Sequence, residues 1–151
     1  MTLGAGRGHL HGSYGLALDN VMSLDVVTAD GRLLTANASE NEDLFWGLRG
    51  SGGNLGIVIS LEYCLYELGP VLGGATFYPV ERTKELLHFF RDWAPTIPDE
   101  LVIQGFALTL TDVGPVLGIE ACYNGEIAEG ERLLKPLRSQ GRIRNQTFSG
   151  I

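Results

Sequence analysis

The 151 residues carry 18 Asp and Glu against 11 Lys and Arg, a formal net charge of −7, with 44% hydrophobic and 19% charged residues. That balance suits a folded globular chain, and an acidic chain without a basic run argues against a nucleic-acid partner, whose phosphates need a cationic face. No apolar run approaches the ~20 residues of a membrane span, and the opening MTLGAGRGHLHG lacks the apolar stretch of a secretory signal, so a cytoplasmic chain with no membrane partner is expected. Glycine is the outlier, with 21 residues, roughly twice its usual share of ~7%, and no Gly-X-Y repeat accounts for it.

In chain order, the segment Gly4 to Gly15 (GAGRGHLHGSYG) has neither helical nor strand periodicity and reads as a loop of special backbone angles. The runs Leu24–Thr28 and Arg32–Thr35 flank Asp30-Gly31, the residue pair that favours a two-residue hairpin turn. Residues Asn41–Leu48 are expected as a short helix. Ser39 and Glu42 have capping-box spacing, Leu44, Phe45 and Leu48 share a face, and Gly50 suits the position past the end. The second glycine cluster, GSGGNLG (Gly50–Gly56), feeds Ile57–Tyr66, a β-branched and aromatic run that predicts a mostly buried strand.

Gly69-Pro70 marks a domain boundary. Beyond it, VLGGATFY predicts a strand, and Val80–Pro95 an amphipathic helix carrying Leu86, Leu87, Phe89, Phe90 and Trp93. Leu101–Leu110 and Pro115–Tyr123 predict paired strands across a turn at 111–114, and Glu126–Arg138 a last helix weakened by Gly130 and Pro136. The fold class is therefore α+β with antiparallel hairpins. Ser139–Ile151 has no period and is expected to be poorly ordered.

The chemistry-bearing residues are sparse. His9 and His11 lie in a loop with no third ligand beside them, so no metal site is expected, and His88 reads as a partly exposed structural histidine. Cys64 and Cys122 form no CxxC and are expected as buried, reduced thiols. No G-x-S-x-G elbow is present. GAGRGH departs from the dinucleotide fingerprint at His9, and GSGGNLG lacks the Lys-Ser/Thr of a P-loop. Two Asn-x-Ser/Thr sequences, at Asn37 and Asn145, read as chance. Glycine turns taken singly are more often structural than ligand-binding. Two of them, one before the hairpin and one feeding a strand, could instead lay bare backbone N–H groups against one planar, polar cofactor.

The runs TLGAGRGHL, YGLALDNV, VVTADGRLL, DLFWGLRGSGGNLGIVIS and GPVLGGATFYP resemble, in order and spacing, the FAD-linked oxidases with a vanillyl-alcohol-oxidase-type (PCMH) FAD domain, in the berberine-bridge-enzyme-like branch. The resemblance spans Thr2 to Arg138. It implies the C-terminal part of a FAD-binding domain over 1–69, a partial antiparallel-sheet substrate domain over 70–138, and a divergent tail over 139–151. It places Gly4, Gly6, Gly8, His9 and Leu10 along the flavin and ribityl side of FAD, and Asn54, Gly56 and Val58 at its adenine end. Asp19 and Asn20 fall on a pair read as mainly structural. Ala5 stands where the family usually has glycine, Gly12 where arginine is common, and Leu55 where phenylalanine is usual.

The family's pyrophosphate loop and flavin-linking histidine belong to a subdomain that would precede Met1, and its substrate-deprotonating segment would follow the end of this chain. A truncated or frame-shifted coding region is the expectation, with no catalytic residue inside it. The implied function is the FAD-binding segment of an oxidoreductase acting on an alcohol, sugar or similar small molecule. The alternative is a non-catalytic or decayed fragment that keeps the fold without flavin and acts at most as an interaction module.

Overall fold

The computed structural model describes residues 1–140 and the backbone of residues 144–149. The chain divides into two compact units, Met1–Glu67 and Leu68–Ile151, so the division falls just before the Gly69-Pro70 break.

The first unit opens on a 3₁₀ turn (Thr2–Gly4), the short helix α1 (His11–Tyr14) and a second 3₁₀ turn (Ala17–Asn20). Strands β1 (Val21–Val27) and β2 (Leu33–Asn37) form the expected antiparallel hairpin. Thr28 and Gly31 close its turn, Gly31 N–H donating to the Thr28 carbonyl at 2.9 Å with Gly31 at φ 81°, where a side chain would be strained. Helix α2 (Glu42–Leu48) follows, then β3 (Ile57–Tyr63) on the other edge of β1, giving the sheet order β2-β1-β3. The core of this unit is Val21, Leu24, Val26 and Ala36 from the sheet and Phe45 and Leu48 from α2, with Val58 and Tyr63 packed against it.

Two expectations for this unit change. Ser39 does not cap α2. Its amide and hydroxyl both bond the Asn37 side-chain oxygen in a local turn, and Asn41 begins the helix from a left-handed conformation (φ 49°, ψ 49°). Asn41 holds that conformation by donating its side-chain amide to the Thr35 carbonyl at 2.7 Å. The second change is burial. β3 is a strand, but Ile57 and Ile59 are 71% and 60% exposed. Among the described residues it pairs on one side only, and its register with β1 shifts twice, passing over Met22 in β1 and Ile59 in β3. These two residues are the bulged ones, and both are exposed. Of the strand's apolar residues, Val58 and Tyr63 reach the core.

The second unit is an antiparallel sheet of order β5-β6-β4-β7, built from β4 (Leu72–Pro79), β5 (Leu101–Leu110), β6 (Gly114–Tyr123) and β7 (Arg144–Ser149). Helices α3 (Thr83–Trp93) and α4 (Ile127–Arg138) complete it. Leu86 of α3 and Leu134 and Leu137 of α4 join Leu72, Tyr78, Leu101, Ile119, Ala121 and Tyr123 in one core. The Tyr78 hydroxyl donates to the buried Leu137 carbonyl at 2.8 Å, fixing the end of α4 to the sheet. Phe77, Ala75 and Val116 form a second cluster with Phe106, Leu108 and Leu110. Cross-strand partners share a face, and the pairs Phe77–Gly118 and Gly118–Phe106 place this cluster on the face opposite the helices.

Neither Gly130 nor Pro136 breaks α4. Gly130 is buried, and a Cβ there would lie 2.5 Å from the Tyr123 ring, so its bare backbone is what lets the helix approach the sheet. Part of the tail is also a strand. Arg144–Ser149 pairs with β4 from Phe77↔Arg144 to Leu72↔Ser149, because main-chain pairing to a free strand edge needs no side-chain period. The remainder, 141–143 and 150–151, lies outside the described residues. Cys122 is buried as expected, whereas Cys64 is exposed, and both are free thiols. Cys64 lies just past the end of the edge strand β3, in an exposed position.

Three outcomes follow. Gly56 has φ 148°, and an added Cβ would lie 2.5 Å from the Val27 carbonyl oxygen. Gly56→Ala is expected to cost at least about 2 kcal/mol in urea unfolding, while Gly8→Ala, with nothing within 4 Å of the new atom, stays within about 0.5 kcal/mol. Equal effects would refute the close-approach argument. Ala5 sits at φ 84°, ψ −55°, a strained γ-turn conformation that glycine adopts freely. Ala5→Gly should raise stability by about 1 kcal/mol, and a loss would show the strain is absent. Finally, burial, and secondarily the charge of Glu120, push the Cys122 thiol pKa up. In a thiol-disulfide reagent at pH 8, Cys64 should react at once and Cys122 only after denaturation. Two fast thiols would contradict the burial.

Candidate functional site

The first glycine loop is fixed by polar side chains from the sequence just after it. Asn20 donates its amide to the carbonyls of Tyr14 and Leu16, at 2.8 and 2.9 Å. Asp19 accepts from the Leu16 N–H at 2.9 Å. Arg49, at the end of α2, donates to the Leu18 carbonyl at 3.0 Å and lies over the Phe45 ring. Asp19 and Asn20 are thus structural, holding the loop's return to the sheet. Inside the loop, the Ala17 N–H donates to the Gly6 carbonyl and the Leu18 N–H to the Ala5 carbonyl.

The fold brings this loop against the second one. The Gly52 N–H donates to the Leu3 carbonyl at 2.8 Å, and a Cβ on Gly53 would meet the Leu3 side chain at 3.9 Å. Two more contacts secure the arrangement. Thr2 and Tyr63 share a hydroxyl–hydroxyl bond, and Tyr14 stacks on Tyr66 with ring centroids 4.6 Å apart. A hydrogen bond with Cys64 raises the Tyr66 pKa above the usual tyrosine value, with the Cys64 charge, burial and Tyr14 adding to it.

The sequence-derived site residues divide by what their backbone already does. Gly4 and Gly8 are exposed, with nothing within 4 Å of where a side chain would start. The Gly8 carbonyl accepts from the His11 N–H, and the His11 ring Nδ1 lies 2.8 Å from it. His9 is exposed, and the half-buried Leu10 accepts from the Tyr14 N–H. Asn54 is exposed and donates its side-chain amide to the Ser51 carbonyl at 2.9 Å. Gly6 is buried at φ 72°, and a Cβ on it would lie 2.5 Å from that of Ala17. Gly56 packs on Val27, and Val58 on the core. Packing alone accounts for the residue type at Gly6, Gly56 and Val58.

The sequence reading passed over Ser51. It sits between Gly50 (φ 129°) and Gly52 (φ 72°), and its hydroxyl is the one buried side-chain polar atom among the described residues without a hydrogen-bond partner. The visible signal was a hydroxyl residue inside a run of glycines. Bare backbone at Gly4 and Gly8, consecutive positive-φ glycines and an orphaned hydroxyl together suit a planar, polar group resting on the paired loops. Among the described residues, no group of three His, Cys, Asp or Glu side chains is placed to hold a metal ion. Also among them, no helix is long and apolar enough to cross a membrane.

No protein-family profile matches the chain. Curated proteins and solved structures do. The FAD-linked oxidoreductase pgmH of Aspergillus terreus is 45% identical over 150 residues, which is 95% of this chain and 30% of that protein. The structure of 6-hydroxy-D-nicotine oxidase from Arthrobacter nicotinovorans superposes with a TM-score of 0.84 and 29% identity, over 99% of this chain and 34% of that one. A VAO-type flavoprotein from Myceliophthora thermophila C1 gives 0.77 and 30%, over 99% of this chain and 29% of that one. The chain thus spans about 30% of the length of the curated relatives it matches. On these matches, along nearly its whole length, the chain belongs to the FAD-linked oxidoreductases of the vanillyl-alcohol-oxidase type.

Proposed function

We propose that this chain supplies one wall of a FAD site in an oxidoreductase acting on an alcohol, sugar or similar small molecule. On this reading the unit Met1–Glu67 is the C-terminal part of the FAD-binding domain, and the unit that follows belongs to the substrate domain. The observation that carries it is the hydrogen bond from Gly52 N–H to the Leu3 carbonyl, which joins the two glycine loops into one surface.

When bound, the flavin supplies the hydride-accepting chemistry. This chain's residues position it. Gly4 and Gly8 let the main chain come within van der Waals reach of the cofactor, since no side chain intervenes. His9 and Leu10 border that surface from the same loop. Asn54 and the turn around it meet the adenine end. Gly6, Gly56 and Val58 act one step back, holding the two loops in shape through packing against Ala17, Val27 and the core. On this reading the part these residues play in the reaction is binding and orientation.

The test separates cofactor approach from folding. Gly8 is exposed and has neither a positive φ nor a neighbour within 4 Å of an added Cβ, so Gly8→Val is expected to leave the fold intact. FAD titrated into the purified chain, followed by flavin fluorescence or calorimetry, should bind at micromolar affinity or weaker, an order-of-magnitude expectation. Gly8→Val should weaken it by about tenfold, equivalent to about 1.4 kcal/mol, with an unchanged melting temperature. Absence of binding by the wild-type chain, or equal affinity in the variant, would remove the reading.

A further inference from the structure

We propose that the Ser51 hydroxyl is a hydrogen-bonding contact for FAD, on the adenosine side. The inference rests on the reading that this chain binds FAD, and adds to it a residue outside the set identified by the sequence.

A Ser Oγ carries one donor and two acceptor lone pairs, and native structures leave such groups unpaired only rarely. Removing a hydroxyl from water without giving it a partner costs stability, a cost an alanine would not carry. Ser51 Oγ is in that position, shielded from solvent and without a partner.

Its surroundings point to an external partner. The Ser51 carbonyl is engaged by the Asn54 side chain, and the next residue's N–H by the Leu3 carbonyl. The peptide that follows the hydroxyl therefore has both of its polar groups committed. The residue as a whole is half-buried, and Gly50, Gly52 and Asn54 around it are exposed. The glycines leave room for a ligand to lie on the main chain beside the hydroxyl. Asn54, three residues on, lies on the turn read as meeting the adenine end. The ribose hydroxyls and the adenine ring and amino nitrogens offer both donors and acceptors to such a group.

The experiment compares the wild-type chain with Ser51→Ala, which keeps the backbone conformation and removes only the oxygen. FAD affinity is read by fluorescence quenching, ADP by competition, and the melting temperature of the ligand-free chain by circular dichroism. The expected result is a loss of about tenfold in FAD affinity, the size of one net hydrogen bond. ADP should compete in the wild type and lose a similar factor in the variant. The ligand-free melting temperature should hold or rise, because an unpaired buried hydroxyl has been removed. Equal FAD affinity in both proteins would overturn the Ser51 assignment while leaving the FAD reading in place. A wild type that binds no FAD would overturn both. Failure of ADP to compete would overturn the adenosine-side placement, and a clear drop in ligand-free melting temperature would show that the hydroxyl serves the fold instead.

Discussion

The hydrogen bond between the Leu3 carbonyl and the Gly52 amide governs the first unit, because it joins segments almost fifty residues apart into one surface. It forms only because both chains can come close. Gly52 and Gly53 take positive φ angles, and the Leu3 side chain lies 3.9 Å from where a Cβ on Gly53 would sit. The rest of the unit holds those two segments in place. The sheet sets the height of β3, Asn20 and Asp19 turn the first loop back into β1, and Arg49 ties the end of α2 to that turn. The glycines serve two purposes that composition alone cannot separate. Some accommodate the protein's own packing, as Gly56 does against Val27, and others, like Gly4 and Gly8, have nothing from the protein in front of them.

The second unit is organised differently. Its helices join a core of large aliphatic and aromatic residues on one face of the sheet, and its other face is covered by a smaller cluster around Phe77, Val116 and Phe106. Glycine again sets distances. Gly118 makes room for the Phe106 ring, which stands edge-on to Phe77 at 6.0 Å, an arrangement that suits the aromatic quadrupoles. Gly130 does the same for Tyr123 under α4. An interior glycine costs a helix about 1 kcal/mol in propensity, and here the close packing of α4 on Leu72 and Tyr123 offsets it.

Much of this was readable from residue order. The Asp30-Gly31 hairpin, the helix ending at Leu48, the β5–β6 pair and α3 all follow local rules, turn chemistry or a period of two or 3.6, and local rules are written into neighbouring residues. What the sequence misplaced depended on distant partners. The apolar run of β3 looked buried because periodicity reports hydrophobicity and not whether a second neighbour exists. Ser39 had the right spacing for a cap, but Asn37, two residues earlier, captured it. The strand at Arg144–Ser149 left no pattern because its pairing to β4 is made by the main chain. At the site, the glycine loops were legible as candidates. Their mutual contact was not, nor was the orphaned hydroxyl of Ser51, since both are properties of a three-dimensional neighbourhood.

The two bulges in the β1–β3 pair have a geometric consequence. β1 carries its extra residue at Met22 and β3 carries one at Ile59, so the pairing falls out of step over Ser23–Asp25 and returns to step at Val26. The insertions cancel. Val21 and Tyr63 at one end, and Val27 and Ile57 at the other, face each other as they would in an uninterrupted ladder. Between those points the strands are offset by a single residue, which adds local twist without lengthening either strand. The error is confined, so the core-facing identities of Val21 and Val26 survive at both ends. The sheet can coil in its middle while the glycine turn entering β3 and the 3₁₀ turn entering β1 keep the spacing of a regular sheet.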